Sequence, residues 1–126
     1  MLTAIIVLGL LNLSGLKMTF NEYQELAKKT ARYPKIGKMF VYPTMGLCSE
    51  AGEVASKVKK VFRDKNGVLD KKSVRAVVKE LGDTLWYISQ IAAEIKIPLD
   101  YVALSNLRKV KSRKKRGKIK GSGDNR

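Results

Sequence analysis

Apolar residues recur every three or four positions along most of the chain, and no segment shows convincing alternation, so the pattern predicts helices and no strands. The first helix is expected over about Asn21 to Tyr33, with Tyr23, Leu26, Ala27 and Thr30 at helical spacing and Pro34 as its stop. Thr19 to Glu22 reads as its start, with an N-cap. A loop carrying Gly37 and Pro43 follows. The second helix, about Thr44 to Arg63, aligns Leu47, Ala51, Val54, Ala55, Val58, Val61 and Phe62 as a core face. Asn66-Gly67 marks a turn. The third helix, about Asp70 to Ile95, places Val74, Val77, Val78, Leu81, Leu85, Ile88, Ala92 and Ile95 on one face, with Pro98 just beyond. A fourth runs from about Asp100 to Lys114. With short connections between them, these elements predict an all-α, four-helix, bundle-like fold.

One segment stands outside this pattern. Leu2 to Leu16 is almost continuously apolar, broken only by Thr3, Asn12 and Ser14. As a helix it would span about 24 Å, short of the ~30 Å hydrocarbon core. It lacks the positively charged start of a secretory signal, with no Lys or Arg before Lys17. Residues 1–17 are expected to be a start-site extension outside the fold, with a weak membrane anchor as the lesser alternative. Residues 18–116 are then the helical domain and 117–126 a basic tail containing glycine.

Composition narrows the chemistry. At 126 residues the chain is one domain, and 44% hydrophobic with 29% charged residues is a folding composition. There is no histidine, and Cys48 is the single cysteine. A disulfide framework, a zinc finger, a Ser-His-Asp triad and a histidine base are all excluded. Any reaction must run on carboxylates, hydroxyls, lysines or metal ions. The lone thiol fits a cytoplasmic setting. Net charge is +15, and residues 107–126 hold ten basic residues and one acid. Such a block either meets phosphate or forms a solvated tail.

The candidate chemistry lies in two matching segments, Glu50-Ala51-Gly52-Glu53 and Glu80-Leu81-Gly82-Asp83. Residues three apart share a helix side, so each segment offers two carboxylates to one point. Glu53 has Lys57 at i+4 and Asp83 has Lys79 at i−4, whereas Glu50 and Glu80 have no basic neighbour on their own helices. The plain alternative is an acidic surface. Against it stand Gly52 and Gly82, each costing about 1 kcal/mol in a helix interior relative to alanine. They are expected to mark a close crossing of the two helices that gathers all four acids. A cluster of oxygens without His or Cys favours Mg²⁺, with Mn²⁺ as substitute.

At these residues the sequence resembles the MazG-like nucleotide pyrophosphohydrolases of the all-α NTP-pyrophosphatase superfamily. Their E-x-x-E and E-x-x-D signature matches at Glu50, Glu53, Glu80 and Asp83. The likeness continues through Gly46 to Glu53, Lys79 to Tyr87, Asn106 to Lys109, Arg116-Gly117 and the closing Gly121 to Arg126. The resemblance implies Mg²⁺-dependent hydrolysis of a nucleoside triphosphate to the monophosphate and pyrophosphate, in a homodimer or homotetramer. It casts the four acids as metal ligands, with Glu50 and Glu53 as the catalytic carboxylates and Glu53 as a candidate to orient water. Lys57, Lys60, Lys109, Arg113 and Arg116 are the cations available to phosphate oxygens, and Asn106 matches the family's Asn-x-x-Lys. Trp86 and Tyr87 read as packing residues before base-stacking ones. The alternative function is a nucleic-acid-binding helical protein using the basic fourth helix and tail. That reading leaves the acid pairs unexplained, and residues 107–126 contain no aromatic to stack on bases.

Overall fold

A computed structural model describes residues 17–123. Among them the chain forms four helices and no strand: α1 (Phe20–Lys29), α2 (Val41–Lys65), α3 (Lys71–Glu94) and α4 (Leu99–Lys115). The all-α fold is thus as expected. Leu2 to Leu16 and Asp124 to Arg126 lie outside the described residues, so neither the proposed extension nor the end of the tail is placed. No helix among the described residues is long and apolar enough to cross a membrane.

Local chemistry sets the helix ends. Thr19 starts α1 with a reciprocal cap: its Oγ1 accepts from the Glu22 amide at 3.1 Å, and its own amide donates to the Glu22 carboxylate at 2.6 Å. The helix stops at Lys29, well before Pro34, with Thr30 as its C-cap: its amide and its hydroxyl both donate to the Ala27 carbonyl, the hydroxyl at 2.7 Å. In α2, Pro43 belongs to the first turn instead of the preceding loop, a position where the missing N–H costs nothing. That helix ends as the Asn66-Gly67 pair signalled, both residues taking positive φ (55° and 79°). Asp70 caps α3 through the Ser73 amide at 2.7 Å, and Lys65 donates to both the Asp70 carboxylate and the Ser73 hydroxyl at 2.7 Å.

Helices α2 and α3 form the main hairpin. Contacts of Gly46 with Tyr87, Lys57 with Glu80 and Lys65 with Ser73 run in opposite chain directions, so the pair is antiparallel. Helix α1 packs on α3, and α4 leans on α1 and the far end of α3. Polar bonds tie that end together. The buried Gln24 side chain donates to the Ile97 carbonyl at 3.0 Å and accepts from the Leu99 amide at 3.1 Å. Asp100 accepts from the Phe20 amide and donates its own amide to Asn21.

The expected core faces are only partly covered. Ala27, Val61, Ala92 and Leu99 are buried, but Val58, Phe62, Val78, Leu81 and Ile95 are exposed, Phe62 by 67%. Helical periodicity identifies an apolar face without identifying what covers it. In a single copy, part of that face on α2 and α3 meets no other helix.

Candidate active site

The antiparallel hairpin brings the two acidic segments opposite one another. Glu50 on α2 and Glu80 and Asp83 on α3 each direct one carboxylate oxygen into a group whose members all lie within 4.8 Å of one another. Glu50 has no ion pair among the described residues. Desolvation first, then the charges of Asp83, Glu80 and Glu53, push its carboxyl above the usual range. Three carboxylates this close, with Glu50 unpaired, could hold a cation. The donors are hard oxygens, and they fit a small divalent ion such as Mg²⁺ or Mn²⁺.

Three acids meet there, and Glu53 is outside the group. It lies three residues on from Glu50, the same spacing that keeps Glu80 and Asp83 together on α3, but its side chain turns to Lys57. Its side chain is about half exposed and faces Lys57 at 3.7 Å. Two expected pairings also change. Glu80 does have a basic partner, the Lys57 ammonium at 3.1 Å, which comes from α2 and is therefore invisible to counting along α3. The Lys79–Asp83 pair does not form.

The glycines play different parts from those expected. A Cβ at Gly52 or Gly82 would meet nothing within 4 Å, so neither residue marks a crossing in this protomer. The close approach is at Gly46, where a Cβ would overlap the Tyr87 ring. That contact seats α2 against α3 one turn from Glu50. Around it, Tyr33 stacks on Tyr42 with ring centres 5.7 Å apart, and Trp86 meets Tyr33 and Tyr87 edge to face at 6.1 and 5.0 Å. The Trp86 indole donates to Thr30 at 2.9 Å, and the Tyr33 hydroxyl to Glu94 at 2.6 Å. These aromatics pack the hairpin. Burial, followed by nearby negative charge that includes Asp83, raises the hydroxyls of Tyr23 and Tyr87.

The cations proposed for phosphate are scattered. Lys57 lies beside the acids, already engaged with Glu80. Lys60 is exposed on the same helix, and Asn106 and Lys109 are exposed on α4. Arg113 is buried, and its guanidinium donates to the Gly123 carbonyl at 3.2 Å, so it braces the tail where a free phosphate ligand was expected. The Arg116 Nε donates to Ser112 one turn back, at 3.3 Å. What the sequence reading passed over is a groove of about 630 Å³ between α2 and α3, lined by Lys57, Lys71, Lys72, Arg75, Lys79 and Glu80. Its signal was a row of basic residues at the start of α3, outweighed by the larger basic block downstream.

Residues 44–117, which include all four acids, match the family model described as the MazG nucleotide pyrophosphohydrolase domain. The chain belongs to the MazG nucleotide pyrophosphohydrolase family. It is a hydrolase acting on nucleotide pyrophosphate bonds, and the MazG family is metal-dependent in general. The chain is also similar to the Gene 37 protein of Mycobacterium phage L5, 48% identical over 109 residues, covering 82% of this chain and 96% of that protein. No solved structure matches it. Among MazG signature residues, the structure here brings Glu50, Glu80 and Asp83 into one group and leaves Glu53 at its edge.

Proposed function

We propose that this MazG-family protein hydrolyses a nucleoside triphosphate to the monophosphate and pyrophosphate, with Mg²⁺ held by Glu50, Glu80 and Asp83. The observation that carries this is the convergence of three carboxylates around Glu50, which lacks an ion-pair partner. When bound, the divalent ion supplies positive charge to the phosphate oxygens and favours ionisation of a nearby water. Glu53, exposed and next to the group, orients that water and takes its proton. Water adds across the α–β anhydride: a phosphorus–oxygen bond forms, the bridging bond breaks, and the bridging oxygen leaves with the departing phosphate group.

On the same reading, residues 18–116 are the catalytic domain and 117–126 the tail that Arg113 helps to hold. The exposed apolar residues of α2 and α3 support a homodimer or larger assembly, which covers them. A reducing compartment such as the cytoplasm suits the unpaired, exposed Cys48. The test is pyrophosphate release from a panel of ribo- and deoxyribonucleoside triphosphates, with Mg²⁺ and with chelator. Release confined to the Mg²⁺ arm supports the proposal, and chelator-resistant release refutes the metal role.

A further inference from the structure

The groove beside the acid group holds five cations and a single acid. Lys71, Arg75 and Lys79 follow one another at i, i+4 spacing, and Lys72 stands beside them. None of the four has an acidic partner among the described residues. Like charges at this spacing repel one another. Lys71 and Lys72 also occupy the first turn of α3, where the helix dipole disfavours cations. The helix would be more stable without them there, and an anion in the groove removes both penalties. A neighbouring hollow toward the end of α2 is lined by Lys57, Lys60, Lys65 and Lys72 together with Asp64.

The position of Glu80 gives the groove its meaning, since this residue belongs to both the groove wall and the three-acid group. Along α3 the order is Lys72, Arg75, Lys79, Glu80, Asp83, Tyr87. The eight residue steps from Lys72 to Glu80 span about 12 Å of helix. We infer that this groove takes the terminal phosphates of the nucleoside triphosphate, so that the pyrophosphate half lies over Lys72, Arg75 and Lys79 while the nucleoside end points toward Tyr87. This deepens the function proposed above and rests on it. Arg75 provides the bidentate fork for phosphate oxygens, with the lysines as point charges. A nucleic-acid backbone is the competing polyanion.

The experiment pairs Lys72→Ala/Arg75→Ala with a Lys28→Ala/Lys29→Ala control that removes the same charge from the end of α1. Inorganic tripolyphosphate binding is measured by calorimetry in Mg²⁺, alongside steady-state nucleotide hydrolysis. The groove variant is expected to bind tripolyphosphate at least about tenfold more weakly and to show a similarly raised KM, with Arg75→Lys intermediate and the control unchanged. All variants should keep wild-type helical circular dichroism, since the substituted residues are exposed. Wild-type tripolyphosphate affinity in the groove variant would overturn the inference even if the enzyme hydrolyses nucleotides normally. Failure of the wild-type enzyme to hydrolyse any nucleotide in Mg²⁺ would instead sink the proposed reaction, and the binding arm would still report on the groove. Loss of affinity for a DNA or RNA duplex with unchanged tripolyphosphate binding would assign the groove to nucleic acid and overturn the inference.

Discussion

The Lys57 ammonium on α2 sits 3.1 Å from the Glu80 carboxylate on α3 and 3.7 Å from Glu53. Glu80 is thereby the one member of the acid group with a cation built into the chain, while Glu50 is left to the field of its neighbours. Lys57 itself is held more firmly charged, by its hydrogen bond to Glu80 first and then by that residue's charge. The lysine offsets part of the repulsion among the acids before any metal arrives.

Replacing Lys57 by Met should therefore lower the melting temperature in chelator, because the facing carboxylates lose the cation that pairs with Glu80. Mg²⁺ should recover more of that loss than it adds to the wild type. Thermal melts with and without Mg²⁺ check this; equal Mg²⁺-induced shifts in both proteins would contradict it.

The glycines give a contrast within one helix pair. Gly46→Ala must displace the Tyr87 ring and should destabilise by about 1–3 kcal/mol, the usual range for overpacking. Gly52→Ala and Gly82→Ala meet open space in the protomer and should be neutral or stabilising by up to about 1 kcal/mol. Urea unfolding of the three variants measures the difference. A Gly46→Ala variant as stable as the other two would show that α2 and α3 do not approach at this point.

This contrast also shows what was legible in the sequence. Helix existence and the Glu80–Asp83 pair followed from spacing within one helix, whereas the same spacing put Glu53 with Glu50 and the structure leaves it outside the group; the Thr19 cap and the Asn66-Gly67 turn followed from local chemistry. The Glu80–Lys57 pair and the Gly46–Tyr87 contact join different helices, so no spacing rule along one helix reveals them. Arg113 counted as a free cation because its charge was visible and its bond to the Gly123 carbonyl was not. Phe62 and Val78 read as core because their helical faces are apolar, yet one copy of the chain leaves both exposed.

Asp70 supplies a pH signature. Its hydrogen bond from Lys65, followed by those from Ser73, holds its carboxyl far below the usual range. A depressed folded-state value means the stabilisation is fully present above the unfolded value of about 3.9 and is lost as pH falls through the folded one. Asp70→Asn should thus melt below wild type at pH 5–7 by a constant margin, and the margin should shrink below about pH 4. A margin independent of pH down to 2 would exclude a charge contribution.

The uncovered apolar residues predict assembly. Light scattering at micromolar concentration should give at least a dimer mass, and Phe62→Glu combined with Val78→Glu should shift the population toward monomer. A wild-type monomer at these concentrations would show that this face stays in water.

The most direct test of the three-carboxylate site is the Mg²⁺ dependence of pyrophosphate release by wild type and Glu50→Gln. Glu50 has no ion-pair partner to lose and its charge faces those of Asp83 and Glu80, so the variant should keep its helical signal and melt at or above wild type in chelator. Its turnover should fall by at least about 100-fold, a loss of roughly 2.7 kcal/mol in transition-state stabilisation. Mg²⁺ should raise the melting temperature of the wild type and leave that of Glu50→Gln nearly unchanged. Wild-type turnover in the variant, or an equal Mg²⁺-induced shift in both proteins, would contradict a metal site built on Glu50, Glu80 and Asp83.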